Sequence, residues 1–136
     1  MIVILCTDSQ NGLMFGGRRQ SRDRLLLEDI QSLCGEKPLL MNEYSSRLFL
    51  SYGIHPQRIA PDFLALANSG DYCFVEGNSL LPFYDKLEKI ILYRWNRVYP
   101  ADLSLEPGLL DGWTLKEAKE FPGSSHKIIT REVYER

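Results

Sequence analysis

Two stretches of the chain carry residues whose types and spacing could do chemistry. In the first, the turn formers Asn11-Gly12 and Gly16-Gly17 lead into Arg18, Arg19, Arg22 and Arg24. Guanidinium groups suit phosphates and carboxylates, so Arg18, Arg19 and Arg22 are candidate anion ligands. The same residues also read as a solvated loop, balanced by Asp8, Asp23, Glu28 and Asp29. The second stretch is Tyr72-Cys73-Phe74-Val75-Glu76-Gly77-Asn78-Ser79. A buried strand that runs into a glycine turn and then a helix from Ser79 to Tyr84 would aim free N–H groups into the turn. That is a natural seat for an anion. The pattern arises equally as core topology without a ligand. His55 has no acidic or nucleophilic partner near it in sequence and reads as a loop residue rather than a base. With only His55 and His126, and no Cys-x-x-Cys, the residues assign no metal site and no catalytic group.

The elements that must position these groups alternate along the chain. Ile2 to Cys6 is a continuously apolar strand, and Thr7 to Asp23 is a long, turn-rich connector of the kind that often carries function. Asp23 can cap a helix from Arg24 to about Leu33, with Leu26, Ile30 and Leu33 on one face and Gly35 at its end. Pro38 to Met41 is a second strand, Ser45 to Tyr52 a helix, and Gly53 to Gln57 a loop. Arg58 to Ala60 makes a minimal strand, and Asp62 to Asn68 a helix behind Pro61. Lys89 to Trp95 is β-branched and aromatic, as a strand should be. Trp113 to Phe121, the turn Pro122-Gly123-Ser124-Ser125 and the alternating Lys127 to Tyr134 predict a closing antiparallel hairpin. The order predicts an α/β fold with a mainly parallel central sheet, flanking helices and a C-terminal antiparallel hairpin.

Composition narrows the function classes. At 136 residues, a single domain spanning 1–136 is expected. A net charge of −2 gives no overall pull toward nucleic acid or acidic membranes. No apolar run approaches the roughly 18 residues of a spanning helix. Met1 to Cys6 lacks the basic start of a signal peptide and reads as a strand. Cys6, Cys34 and Cys73 are odd in number and far apart, which predicts free buried thiols in a reducing, cytoplasmic setting.

Several short motifs, in this order and spacing, resemble the dihydrofolate reductase family nearly end to end. Asn11-Gly12-Leu13-Met14 with Phe15-Gly16-Gly17 resembles the family's first loop, Asn-Gly-Ile-Gly before Gly-x-x-Pro-Trp. Lys37-Pro38-Leu39-Leu40-Met41 is similar to its Lys-Pro-Val-Ile-Met strand. Val75-Glu76-Gly77-Asn78 stands where the family has a Gly-Gly pair before a helix, and is similar to the Val-Glu-Gly-Gly of the related riboflavin-pathway reductases. Asp102-Leu103-Ser104-Leu105 resembles Asp-Thr-x-Phe, and Trp113 with Ile128 to Arg136 resembles the C-terminal hairpin. The resemblance implies hydride transfer from NADPH to a pterin. That chemistry needs a carboxylate on the first helix, a hydrophobic loop over the nicotinamide, and glycines with helix N-termini at the pyrophosphate.

The sequence departs from the pattern where that chemistry sits. In ungapped register from Lys37-Pro38 the acidic position falls on Leu26, which cannot protonate anything. Gln20 and Ser21 stand for the loop's proline and tryptophan, Met14 for a glycine, and Tyr93 for a pterin-supporting threonine. Asn42-Glu43-Tyr44-Ser45 replaces the Gly-Arg-x-Thr run that engages cofactor phosphates. The segment from Met41 to Tyr72 is short. There the Gly53 to Gln57 loop is expected to replace an additional strand and the loop that grips the adenosine ribose phosphate. Two functions follow. One is a divergent NADPH-dependent reductase of a pterin or similar small heterocycle. Its cofactor would lie about Gly16, Gly17, Gly77, Asn78 and Ser79, and its substrate against Leu26, Ile30 and Tyr93. The other is a non-catalytic relative that binds a small anion or a protein partner through Arg18 to Arg24. Nucleic acid is disfavoured by the net negative charge and the missing aromatic-basic platform.

Overall fold

The computed structural model describes residues 1–55 and 57–136, with Gln57 described by its backbone alone. The expected Gly53 to Gln57 loop thus lies partly outside the described residues, at Pro56. Its apolar residues make Ile2–Thr7 (β1) the middle of a seven-stranded sheet. On one side it pairs in parallel with Tyr72–Phe74 (here β6), which pairs with Leu39–Met41 (β4), which pairs with Gln57–Ile59 (β5). On the other it pairs in parallel with Lys89–Arg94 (β7). Ile129–Glu135 (β10) then adds antiparallel to β7, and Thr114–Phe121 (β9) antiparallel to β10. The expected hairpin therefore closes the sheet at one edge.

Alternation along β1 splits the core in two. Ile2 and Ile4 face one side with Phe74, Ile91 and Tyr93; Val3 and Leu5 face the other with Cys73, Val75, Ile90 and Leu92. Arg24–Cys34 (α1) and Glu43–Ser51 (α2) cover the first face through Leu26, Leu27, Ile30, Leu48 and Phe49. Each such side chain removed from water contributes roughly 1.5–3 kcal/mol. Phe63–Leu66 (α3) and the loop holding Leu109 and Trp113 cover the second face. Asp23 caps α1 as expected, its carboxylate accepting from Leu25 and Leu26 N–H. Asn42 caps α2 through Ser45 N–H, so that helix starts ahead of the expected Ser45.

Three expectations need correction. The connector from Thr7 to Asp23 is not a plain loop. Gly12–Phe15 (β2) and Arg18–Arg19 (β3) form a hairpin, and Leu103–Ser104 (β8) joins β2 to make a second, three-stranded sheet. The helix expected from Ser79 is a 3-10 turn over Leu81–Lys86, with Pro82 in its first turn. The helix after Pro61 is only Phe63–Leu66. The minimal strand expected at Arg58 to Ala60 is present one residue earlier, as β5, whose register Met41↔Ile59 holds it against β4.

Candidate functional site

The hairpin β2–β3 folds over the end of the main sheet, where β1, β6 and α1 meet. Its inner strand residue is Arg19. The Arg19 guanidinium meets the Glu76 carboxylate in two parallel bonds, Nε to Oε2 at 2.8 Å and Nη2 to Oε1 at 2.9 Å. Ser45 Oγ donates to Glu76 Oε1 at 2.8 Å, Tyr44 Oη accepts from Arg19 N–H at 3.1 Å, and the Tyr44 ring lies 4.4 Å below the guanidinium. Only 9% of the Glu76 side chain and 20% of Arg19 are exposed. Burial alone would lower the Arg19 pKa, but the Glu76 bonds outweigh it and raise it. Beneath this plug lie Cys6, Leu26, Leu27, Phe74 and Trp95, with about 20 Å³ of free space. That volume admits about one water. Burial, with Glu76 adding to it and Arg19 opposing, pushes the Cys6 thiol well above its usual range, so it is not a poised nucleophile.

The glycine corner is also filled. Gly77 has φ +82°, the left-handed region that glycine adopts without strain. A Cβ there would meet Met14 Sδ at 2.5 Å, so the close approach that Gly77 allows is made by Met14. Glu106 takes two of the corner's donors: Leu80 N–H at 2.6 Å and Ser79 Oγ at 3.1 Å. A carboxylate thus sits where an anion would bind. Gly77, Asn78, Ser79 and Glu106 line a cleft of about 200 Å³ whose remaining walls are mainly leucines, among them Leu5, Leu13, Leu80 and Leu103. Gly16 and Gly17 lie elsewhere. They form the two-residue turn between the paired Phe15 and Arg18, with φ +59° and +74°. Positive φ at both central positions is the demand of a tight hairpin turn, and nothing lies within 4 Å of a Cβ at either.

The buried acids near α1, Asp23 and Asp8, are committed to structure. Asp23 Oδ1 accepts from Leu25, Leu26 and Ser124 N–H, and Oδ2 from Ser125 N–H at 2.8 Å and His126 Nδ1 at 3.1 Å. Burial works to raise its carboxyl, but the bonds from Ser124, Ser125, His126 and Leu26 together hold it well below the usual carboxylate range. His126 stacks on Trp95 at 4.6 Å, and its Nε2 faces both Ser21 Oγ at 3.1 Å and Tyr99 Oη at 2.9 Å. Ser21, His126 and Asp23 therefore have the hydrogen-bond order of a nucleophilic triad. Tyr99 holds the shorter bond to the same nitrogen, and the one-water void beside Ser21 admits no carbonyl substrate. The cluster ties the α1 cap to the β9–β10 turn. Asp8, likewise buried, accepts from Gly12 and Gln10 N–H at 2.7 and 2.8 Å and from Tyr99 N–H at 3.1 Å, which fixes the start of the hairpin.

The expected site residues thus scatter. Leu26 lines the closed space, while Ile30 and Tyr93 are fully buried core; the Tyr93 hydroxyl donates to Asp29 at 2.6 Å. Gly77, Asn78 and Ser79 share one cleft, Gly16 and Gly17 do not join them, and Arg19 is paired inside the molecule. Arg18 and Arg22 are exposed, and among the described residues no carboxylate stands within ion-pairing distance of Arg18, Arg22 or Arg24. Sequence reasoning missed Glu76, Ser45, Glu106 and His126. Glu76 beside Gly77 was the one legible signal, a charge at the end of a buried strand that needs a cation. The residues present do not fit an NADPH pyrophosphate. Its glycine is covered by Met14, a carboxylate, Glu106, stands at the corner and holds two of its donors, and the N-terminus of α2 is capped by Asn42 and carries Glu43.

No family model matches the chain, and no curated protein matches it in sequence. Solved structures do. A dihydrofolate reductase from Enterococcus faecalis, complexed with NADP(H) and RAB-propyl, superposes with a TM-score of 0.71 over 99% of this chain and 95% of that one, at 11% identity. The chain has a dihydrofolate reductase-like fold.

Proposed function

We propose that this chain is a binding protein on a dihydrofolate reductase-like scaffold rather than a reductase, and that it acts as a single domain in the cytoplasm. The Arg19–Glu76 pair carries the reading. It closes the space lined by Leu26, where the family resemblance would put a substrate, with a largely buried, bidentate contact, and removing one partner of such a contact costs several kcal/mol. A substrate would have to displace it. The ligand is a small anion bearing phosphate or carboxylate groups, met by Arg18 and Arg22 on the hairpin rim, with Arg24 beside them. Exposed guanidiniums with no carboxylate partner among the described residues support that choice, since such forks are the groups that recognise anions. The test is titration with inorganic pyrophosphate at two ionic strengths. The expected result is saturable binding that weakens with salt and is lost in Arg18→Ala/Arg22→Ala. Binding of equal strength in that variant, or none in the wild type, would refute the anion reading.

The competing reading keeps NADPH and a pterin-like substrate. The observations in its favour are the end-to-end fold likeness to an enzyme complexed with NADP(H) and the shared cleft of Gly77, Asn78 and Ser79. Turnover of dihydrofolate with NADPH would support it over the binding reading.

A further inference from the structure

β9 ends the main sheet in an unusual state. Seven of its eight residues are exposed, and its outer edge pairs with no other strand among the described residues. An eight-residue edge that offers unpaired N–H and C=O groups is a template for another strand. Its charge order, Leu115-Lys116-Glu117-Ala118-Lys119-Glu120-Phe121, reads as its own complement about Ala118. An antiparallel second copy centred there sets Glu117 against Lys119 twice, with Ala118 facing itself, and brings Lys116, at the register shift, beside Glu120. Opposite charges directly across a strand pair are favourable, and like charges are not.

Neighbouring registers fail. A shift of one residue sets Lys116 against Lys119 in one direction and Glu117 against Glu120 in the other. A shift of two sets Glu117 or Lys119 against itself. Longer shifts run into Pro122, which has no N–H, or into the bulge that leaves Lys116 unmatched between Glu117 and Leu115 opposite β10. The unbroken run from Glu117 to Phe121 keeps regular register with β10, so the centre of the pairing lies on flat strand. Lys116 then reaches Glu120 by the length of its side chain. Glu117 already holds Arg131 Nη2 at 3.0 Å, and its carboxylate can accept from Lys119 of a partner as well.

We propose that β9 is the seam of a two-fold symmetric homodimer, paired antiparallel about Ala118, that joins two seven-stranded sheets edge to edge. Such a contact is self-complementary, as two-fold interfaces must be. It is independent of the ligand reading, since it lies at the far edge from β5 and uses none of the arginines on the hairpin.

The experiment combines solution mass with cysteine cross-linking. Sedimentation equilibrium of the wild type is expected to show a doubling of the 15.7 kDa chain mass as concentration rises. Lys116→Glu/Lys119→Glu and Glu117→Lys/Glu120→Lys are each expected to stay monomeric, and their equimolar mixture to recover the doubled mass. Ala118→Cys is expected to form a disulfide-linked dimer on mild oxidation. Directly paired strand residues lie about 4.5–5.5 Å apart at Cα, within the roughly 4.4–6.8 Å that a disulfide spans. Glu120→Cys, which faces Lys116, is the control that should not cross-link. A monomeric wild type whose Ala118→Cys variant cross-links no faster than Glu120→Cys would overturn the proposal. So would a dimer whose mass is unchanged by both charge variants.

Discussion

At the residue scale, three buried charges decide what this cleft can do, and each is used up. Glu76 is held by Arg19 and Ser45, and Asp23 by α1 and the β9–β10 turn. Asp8 is held by the start of the hairpin. Arg19→Ala strands Glu76 in a site that is nine-tenths covered. It should cost about 3 kcal/mol in urea unfolding. Glu76→Gln should cost a similar amount, and the double variant less than the sum of the two, because neither charge is then left alone. Leu26→Asp, which puts an acid at the position the resemblance marks for one, should yield no dihydrofolate turnover. It should instead destabilise the protein by several kcal/mol, because it buries a carboxylate under the plug without a partner. Dihydrofolate reduction by that variant would show a working reductase site beneath Arg19.

Asp23 also sets a pH dependence. Its folded pKa is depressed, so the stability it contributes is fully present above its unfolded value of about 3.9 and is lost as pH falls through the folded pKa. Asp23→Asn keeps an N-cap but gives up the charge toward His126. It should therefore lower the melting temperature at pH 7 and flatten the loss of stability on acidification below about pH 4. Equal acid sensitivity in variant and wild type would remove Asp23 from that role.

At the scale of elements, strand and helix placement was legible because periodicity and caps are local. Ile2–Thr7, Leu39–Met41 and Lys89–Arg94 fall where their apolar runs predict, and Asp23 and Gly35 bound α1 as read. The misses are tertiary. The hairpin β2–β3 is supported by Asp102, which accepts from Gly16 N–H at 3.0 Å across 86 residues, and by β8, which no local pattern reveals. The helix after Gly77 tightened into a 3-10 turn whose lead residues are tied to Glu106, another distant partner. Gly77→Ala should destabilise by about 1–3 kcal/mol, since it adds left-handed strain to the contact with Met14. Met14→Ala should recover only the contact part of that loss, as thermal melts of the single and double variants would read.

At the scale of the whole molecule, fold and function part company. The sheet order, both covered faces and the closing hairpin give the dihydrofolate reductase-like architecture over 99% of the chain. A scaffold carries no chemistry by itself, so function rests on the residues at the cleft. The likeness in fold was readable because it rests on strand order and spacing. The fate of the site was not, because it depends on which side chain fills which gap. Leu26 for an acid was visible in the sequence. Arg19 reaching Glu76 across 57 positions was not. A basic loop and a lone acid at a strand end looked like two separate features and are one contact.

An NADPH titration followed through backbone amide chemical shifts tests the central claim most directly, because it reports where any cofactor goes. Amides of Gly77, Asn78 and Ser79 should stay unmoved at millimolar NADPH, with any weak shifts confined to Arg18, Arg22 and Arg24. Saturating shifts at Gly77 to Ser79 with micromolar affinity would contradict it and return the chain to the reductases.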